Sequence, residues 1–167
     1  MRRKDREMKE FNQLAETIEK GQVCRIAIHD VYPYIVPMNY GYKIEEEQVT
    51  LYFHSAKEGR KITLLRENPK IGFEIDLAHT LTYDGEKGSC SMLYESVMGQ
   101  GMVEFVEKDE KMEALQCILV HYGRGADFKF SPALLERTLV FKVKCVNLTG
   151  KKHYIFKPYG MQIVPLA

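Results

Sequence analysis

Apolar and polar positions alternate through much of the chain. Val49, Leu51 and Phe53 alternate with Thr50, Tyr52 and His54, and Ile71, Phe73 and Ile75 repeat the pattern a few residues later. A period of two marks a strand with one face in a core. Val23 to His29, Tyr34 to Ile44, Ser96 to Val106 and Thr138 to Val146 read the same way, the last with Leu139, Phe141, Val143 and Cys145 on one face. Pro37 and Gly41 fall inside the Tyr34 to Ile44 run. Proline has no amide for a ladder, so this strand is expected at an edge or a bulge. Gly99 and Gly101 predict a bulge or a close backbone approach within their strand.

Helical spacing appears in four places. Residues 5 to 20 carry Met8, Phe11, Ala15 and Ile18 on one face and stop at Gly21. Asp109 to Tyr122 carries Met112, Leu115, Leu119 and Tyr122 and stops at Gly123. Ser131-Pro132 predicts a short helix with proline at its first position. Between the strands at Val49 and Ile71, Ser55 and Glu58 form an S-x-x-E capping box, which predicts a helix running to Asn68-Pro69 with Ile62 and Leu65 inward. Residues 77 to 95 are the least periodic and are expected to form a long surface excursion of the kind that serves a site or an interface. Six strands joined mostly by short turns, with helices at the ends and crossovers, predict a mainly β antiparallel barrel in one domain, residues 1–167.

Charge directs attention to the last of these helices. The chain of 167 residues has a net charge of +1, so it exerts no global pull on nucleic acid or an acidic membrane. Yet Lys57, Arg60 and Lys61 fall within the first two turns predicted there, where cations oppose the helix dipole. Two readings stand: a solvated basic helix end, or a phosphate cradle built from the Ser55 hydroxyl, the early amides, Arg60 and Lys61. The four cysteines are scattered without a C-x-x-C pair, and the five histidines lack metal-binding spacing, so reduced thiols and no metal site are expected. The basic start is not followed by an apolar stretch, and no run approaches the ~18–20 residues that span a bilayer. A cytoplasmic protein without membrane partners is expected.

The segments MRRKDRE, VCRIAI, PYIVPMNYGY, LYFHSAKEGRKITLLRENPKIGFEID, SMLYESVMGQGMVEF, HYG and LTGK follow one another between residues 1 and 152. In this order they resemble the flavin-binding split barrels related to pyridoxamine 5'-phosphate oxidase, and within these the nitroimidazole-resistance branch. The resemblance implies a six-stranded antiparallel split barrel, an FMN cofactor with FAD as an alternative, and a homodimer holding two flavins between its subunits. By position, it sets the backbone of Val36, Pro37, Met38 and Asn39 beside the isoalloxazine ring. His54, Ser55 and Ala56 then follow the ribityl chain and phosphate, with Arg60 and Lys61 closing on the phosphate. Tyr94, Ser96 and Val97 reach in from the other subunit. The function implied is reduction of a small nitroaromatic such as a 5-nitroimidazole, with electrons from a reduced nicotinamide or a protein donor and His54 as the candidate proton donor. Alternatives are a non-catalytic flavin carrier or redox sensor, or a barrel that binds haem or a deazaflavin. Pyridoxamine phosphate oxidases end in an Arg- and Trp-rich segment, whereas here HYIFKPYGMQIVPLA contains neither residue, which argues against oxidation of vitamin B6 phosphates.

Overall fold

The computed structural model describes residues 2–85, 88–106, 108–125, 128–154 and 162–164. Among the described residues, eight strands form one antiparallel sheet: β1 (Cys24–Ile28), β2 (Tyr34–Met38), β3 (Gly41–Glu45), β4 (Gln48–Ala56), β5 (Lys70–Asp84), β6 (Ser89–Val106), β7 (Thr138–His153) and β8 (Gln162–Val164). Their order is β2-β1-β5-β6-β7-β4-β3, with β8 on the far part of β5. The two end strands, β2 and β3, are consecutive in the chain and separated only by Asn39 and Tyr40. So short a link spans at most about 10 Å, so the sheet has to curl until its edges meet. The result is an open barrel, mainly β with flanking helices, as the sequence predicts.

Its interior is filled by the inward set of each strand. Ile26, Leu51, Phe53, Ile75, Val97, Phe141 and Val143 are completely buried. Phe53 and Phe141 stack at 5.2 Å between ring centroids. Helix α1 (Phe11–Lys20) closes one side with Leu14, Thr17 and Ile18. Helix α3 (Lys108–His121) packs outside β3 and β4, where Ala114, Leu115 and Ile118 meet Tyr52, Val106 and Val140. Among the described residues, no helix is long and apolar enough to cross a membrane.

The structure departs from the sequence expectations at several elements. The Tyr34 to Ile44 strand is two strands, so the barrel path has seven where six were predicted. The chain breaks at Asn39–Tyr40 because Tyr40 is drawn fully inside, its hydroxyl donating to the Ile18 carbonyl at 2.5 Å with the Gly21 carbonyl at 3.1 Å. Pro37 does lie on an edge strand, paired only with β1. Residues 77 to 95 are no loose excursion, since β5 and β6 continue as a long hairpin through Leu77↔Glu95 and Asp84↔Ser89. A register shift between Leu77 and Thr80, with Ala78 at φ 62, breaks the period that would have revealed it.

The first helix is shorter than residues 5 to 20. A 3-10 turn, Lys4–Arg6, precedes α1, and between them Met8 donates its amide to Gly150 while Glu7 bridges Lys151. Residues already paired with β7 cannot also be helical. Met112 points outward from α3, whose buried face is rotated towards Ala114, Leu115 and Ile118. Helix α4 (Pro132–Arg137) starts as its sequence predicts, with the Ser131 hydroxyl accepting from the Leu134 amide at 3.3 Å.

Candidate functional site

The helix between β4 and β5 does not begin as a capping box. Ser55 and Ala56 still belong to β4, held extended by pairing with Leu139 and Thr138. The Ser55 hydroxyl donates to the Ala56 carbonyl at 2.6 Å and caps nothing. Helix α2 (Arg60–Glu67) starts instead after Gly59, whose φ of 123 suits glycine and whose carbonyl accepts from Ile62 and Thr63. Lys57 therefore lies outside the helix, while Arg60 and Lys61 become its first two residues. Ile62 and Leu65 are buried as expected and fix the helix against the barrel.

This start gathers one group of the sequence-predicted residues. Lys61 is half-buried and directs its ammonium to the Met38 thioether at 3.6 Å, which ties the end of β2 to α2. A thioether is a weak acceptor. Among the described residues Lys61 has no carboxylate within ion-pair distance, and burial lowers its pKa below that of an ordinary lysine. His54, at the end of β4, is exposed at its edge but sits among enough protein for burial, and then Lys61, to lower its pKa, which keeps it neutral at pH 7. Met38, His54 and Lys61 thus share one corner, and Ser55 and Ala56 follow His54 along the same strand. Val36, Pro37 and Asn39 line the edge strand leading into it, with Pro37 and Asn39 exposed.

Arg60 turns the other way. Its Nε and one terminal nitrogen donate to a single oxygen of Asp30 at 3.1 and 2.6 Å, and its guanidinium lies 4.6 Å from the centre of the Tyr34 ring. The hydrogen bonds from Arg60, and then the Val31 amide, hold the Asp30 carboxyl below its ordinary pKa. Neither Asp30 nor Tyr34 was singled out from the sequence. Asp30 is thirty residues from Arg60, so no local pattern links them, and Tyr34 stands in the sequence only as the start of a strand.

Tyr94, Ser96 and Val97 are elsewhere in the same chain. His54 pairs with Val140, and Val140 pairs with Val106 of β6. The three residues lie nine to twelve positions from Val106 on β6, but from the other edge of the sheet Met38 pairs with Cys24, Cys24 with Ile75 and Ile75 with Val97, so Val97 is three strands from the corner, roughly 14 Å at ~4.8 Å per strand. Tyr94 faces a polar cluster in which Arg6 donates to its hydroxyl at 3.4 Å and Ser91 and His153 approach to 2.8 Å. Ser96 pairs with Asp76 and Lys151, and the Val97 side chain is completely buried in its own barrel.

The outer face of the sheet carries a groove of about 570 Å³ across β2, β1, β5, β6 and β7. Arg25 sits in it between Glu74 at 3.0 Å and Asp76 at 2.5 Å, bordered by Ile35, Phe73 and Met98. Ile35, Met98, Met102 and Val146 leave this face of the sheet conspicuously apolar. Among the described residues, no three His, Cys, Asp or Glu side chains come together as a metal-binding group. Cys24, Cys90, Cys117 and Cys145 are free thiols, and burial pushes the Cys145 thiol up to about 12.

The donor set suits a flavin phosphate: an ammonium lacking a carboxylate, a guanidinium with N–H groups to spare, and first-turn amides that a helix leaves unpaired. An open antiparallel barrel with two cations at a helix start beside an edge strand is the class that this geometry defines. The chain belongs to the pyridoxamine 5'-phosphate oxidase family, whose model matches residues 12–152. It is similar to a candidate 5-nitroimidazole antibiotic resistance protein of Bacteroides thetaiotaomicron VPI-5482, at 36% identity over 87% of this chain and 85% of that one, with a TM-score of 0.77. That match agrees with the expected nitroimidazole-resistance branch. An FAD and haem binding protein from Mycobacterium smegmatis shares the fold at a TM-score of 0.80 and 16% identity, over 96% of this chain and 84% of that one. An F420 reductase shares it more loosely, at a TM-score of 0.53 and 14% identity over 80% and 93% of the two chains. No curated protein matches the chain at a significant level.

Proposed function

We propose that this protein is a flavin-dependent oxidoreductase that binds FMN or FAD and reduces a small nitroaromatic, such as a 5-nitroimidazole, at the interface of a homodimer in the cytoplasm. The observation that carries the reading is Lys61, a half-buried ammonium at the start of α2 with a thioether as its partner. Such a charge is expensive to bury without an anion, and a flavin phosphate supplies one. Arg60, the preceding residue, carries planar donors but holds two of them on Asp30. The flavin supplies the redox chemistry when bound.

The protein's own residues do the rest. On β2, an edge strand, the outward amides and carbonyls around Val36, Met38 and Asn39 are not taken by a second ladder and suit the polar edge of the ring system. Pro37 keeps that edge from pairing with another strand. His54, close to Lys61, would pass a proton to a substrate lying over the ring in its protonated form, which its lowered pKa makes more available as pH falls. Tyr94 and Ser96 complete the site from the partner subunit. The apolar outer face of β1, β5, β6 and β7 is the surface the dimer buries. Electrons arrive from a reduced nicotinamide or a protein donor.

The absorption spectrum of freshly purified protein, followed by chromatography of the released chromophore, tests the reading. Oxidised-flavin bands with FMN or FAD released are expected. A single intense Soret band would assign the site to haem, and a released deazaflavin would assign it to that cofactor. Steady-state electron transfer from NAD(P)H to a nitroimidazole then separates an enzyme from a flavin carrier or redox sensor, which would bind the cofactor without turnover.

A further inference from the structure

Helices α1 and α3 meet β3 around a cavity of about 670 Å³, and no residue of the Lys61 corner lines it. That volume falls in the range of small-molecule sites, about 300–1,000 Å³. One wall is aromatic. The His121 ring meets Tyr42 edge-on at 5.2 Å between centroids and lies against Tyr40 at 4.6 Å. Its Nε2 donates to the Gly21 carbonyl at 2.7 Å, which fixes the ring in place. Half-buried Cys117 and Val120, a valine left 53% exposed, add apolar surface from α3.

The charges around this wall do not cancel. Lys43 and Glu113 both line the cavity and pair with each other. Glu19, on the α1 side, has no such partner: among the described residues no cation lies within ion-pair distance of its carboxylate. Its neighbour Lys20 is held instead by Glu16 at 3.0 Å. The remaining titratable groups of the lining are neutral at pH 7. Burial, and then the Glu19 carboxylate, raise the Tyr42 hydroxyl, while burial raises the Cys117 thiol and lowers His121. The lining as a whole is therefore one charge negative, and that charge sits beside a tyrosine ring. A tyrosine ring itself attracts cations. A neutral occupant leaves the carboxylate unanswered, and an anionic one is repelled by it.

We propose that the cavity between α1, β3 and α3 is a second ligand site that takes a small organic cation of the arylalkylamine class, with Glu19 receiving the ammonium and Tyr42, Cys117 and Val120 the apolar body. Glu19 is the residue that sets its specificity. The site is built from side chains that the flavin reading does not use, so it stands or falls independently of that reading.

Titration of the purified protein at pH 7 with benzylamine, and with benzyl alcohol as its neutral counterpart of nearly the same size, tests this by proton NMR of the ligand. The wild type is expected to bind benzylamine about tenfold more tightly than benzyl alcohol, the scale of one charge pair at a partly exposed site. Glu19→Gln removes only the charge and is expected to bring the two ligands to equal affinity. Val120→Arg sets a competing cation in the same wall and is expected to abolish benzylamine binding. Both positions are exposed, so both variants are expected to unfold at the wild-type temperature, which a thermal melt checks. Failure of the wild type to bind benzylamine, or equal affinity for the two ligands, would overturn the inference. A preference for benzylamine that survives Glu19→Gln, or binding that persists in Val120→Arg, would place the amine elsewhere on the molecule and overturn it as well.

Discussion

Lys61 is the side chain whose environment asks most for a partner. Burial disfavours its charge and a thioether does little to compensate, so replacing it should not weaken the fold. Lys61→Met is expected to leave the urea midpoint unchanged or slightly higher. Affinity for phosphorylated flavins should fall about 10–100-fold, as a lost charge-assisted hydrogen bond implies. Titration and denaturation of the same variant check both halves. The histidines give a pH dependence whose sign can be worked out. Burial, opposed by the Gly21 carbonyl that accepts from Nε2 at 2.7 Å, lowers the pKa of His121. Burial and then Lys61 lower that of His54, and burial followed by Arg6 and Arg3 lowers that of His153. Each takes up its proton more readily unfolded than folded, so stability is full above the ordinary histidine value of 6.5 and is lost as pH falls through and below it. A lower thermal midpoint at pH 5.5 than at pH 7.5 is expected, with part of the difference removed in His121→Gln. A flat profile would show that these rings are not held neutral.

At the scale of elements, glycines decide which pieces can approach one another. A Cβ on Gly41 would lie 2.5 Å from the Ile118 amide nitrogen and 2.6 Å from the Cys117 carbonyl carbon, so α3 crosses β3 in direct backbone contact there. Gly41→Ala should push α3 outward and cost about 1–3 kcal/mol, seen as a lower urea midpoint at unchanged slope. A variant as stable as the wild type would mean that α3 is free to shift. Gly99 has the same role against Phe73 and Leu148, where β6 also changes register on β7. The sequence marked Gly99 as a bulge or close approach without saying to what, and gave Gly41 no such role. It also placed the strands whose inward residues alternate, such as β4 and the first half of β5, because half of each is buried. It missed the outer half of the β5–β6 hairpin, where neither face is consistently covered and the alternation is lost.

At the scale of the whole molecule, the unanswered surface is the outer sheet face. Met98 and Met102 are 44% and 54% exposed there, beside Ile35 and Val146. On the dimer reading, the wild type should sediment as a dimer and Met98→Glu should shift it towards monomer, because a carboxylate would be buried without a partner. A wild type that sediments as a monomer would remove the subunit interface, and with it the route that brings Tyr94 and Ser96 to the flavin.

Read by itself, the chain determines most of its strands, the barrel class, the family and a basic helix start between β4 and β5. Each is written in residues close together in sequence or in short motifs at fixed order. Tertiary structure alone decides that Ser55 stays in β4 rather than capping α2, because its backbone is claimed by β7. It alone brings Asp30 to Arg60 across thirty residues and Met38 to Lys61 across twenty-three. The charge of the site is therefore a property of the fold. The sequence contributes the cations, while the curl of the sheet and the turn after β1 decide which of them is already neutralised.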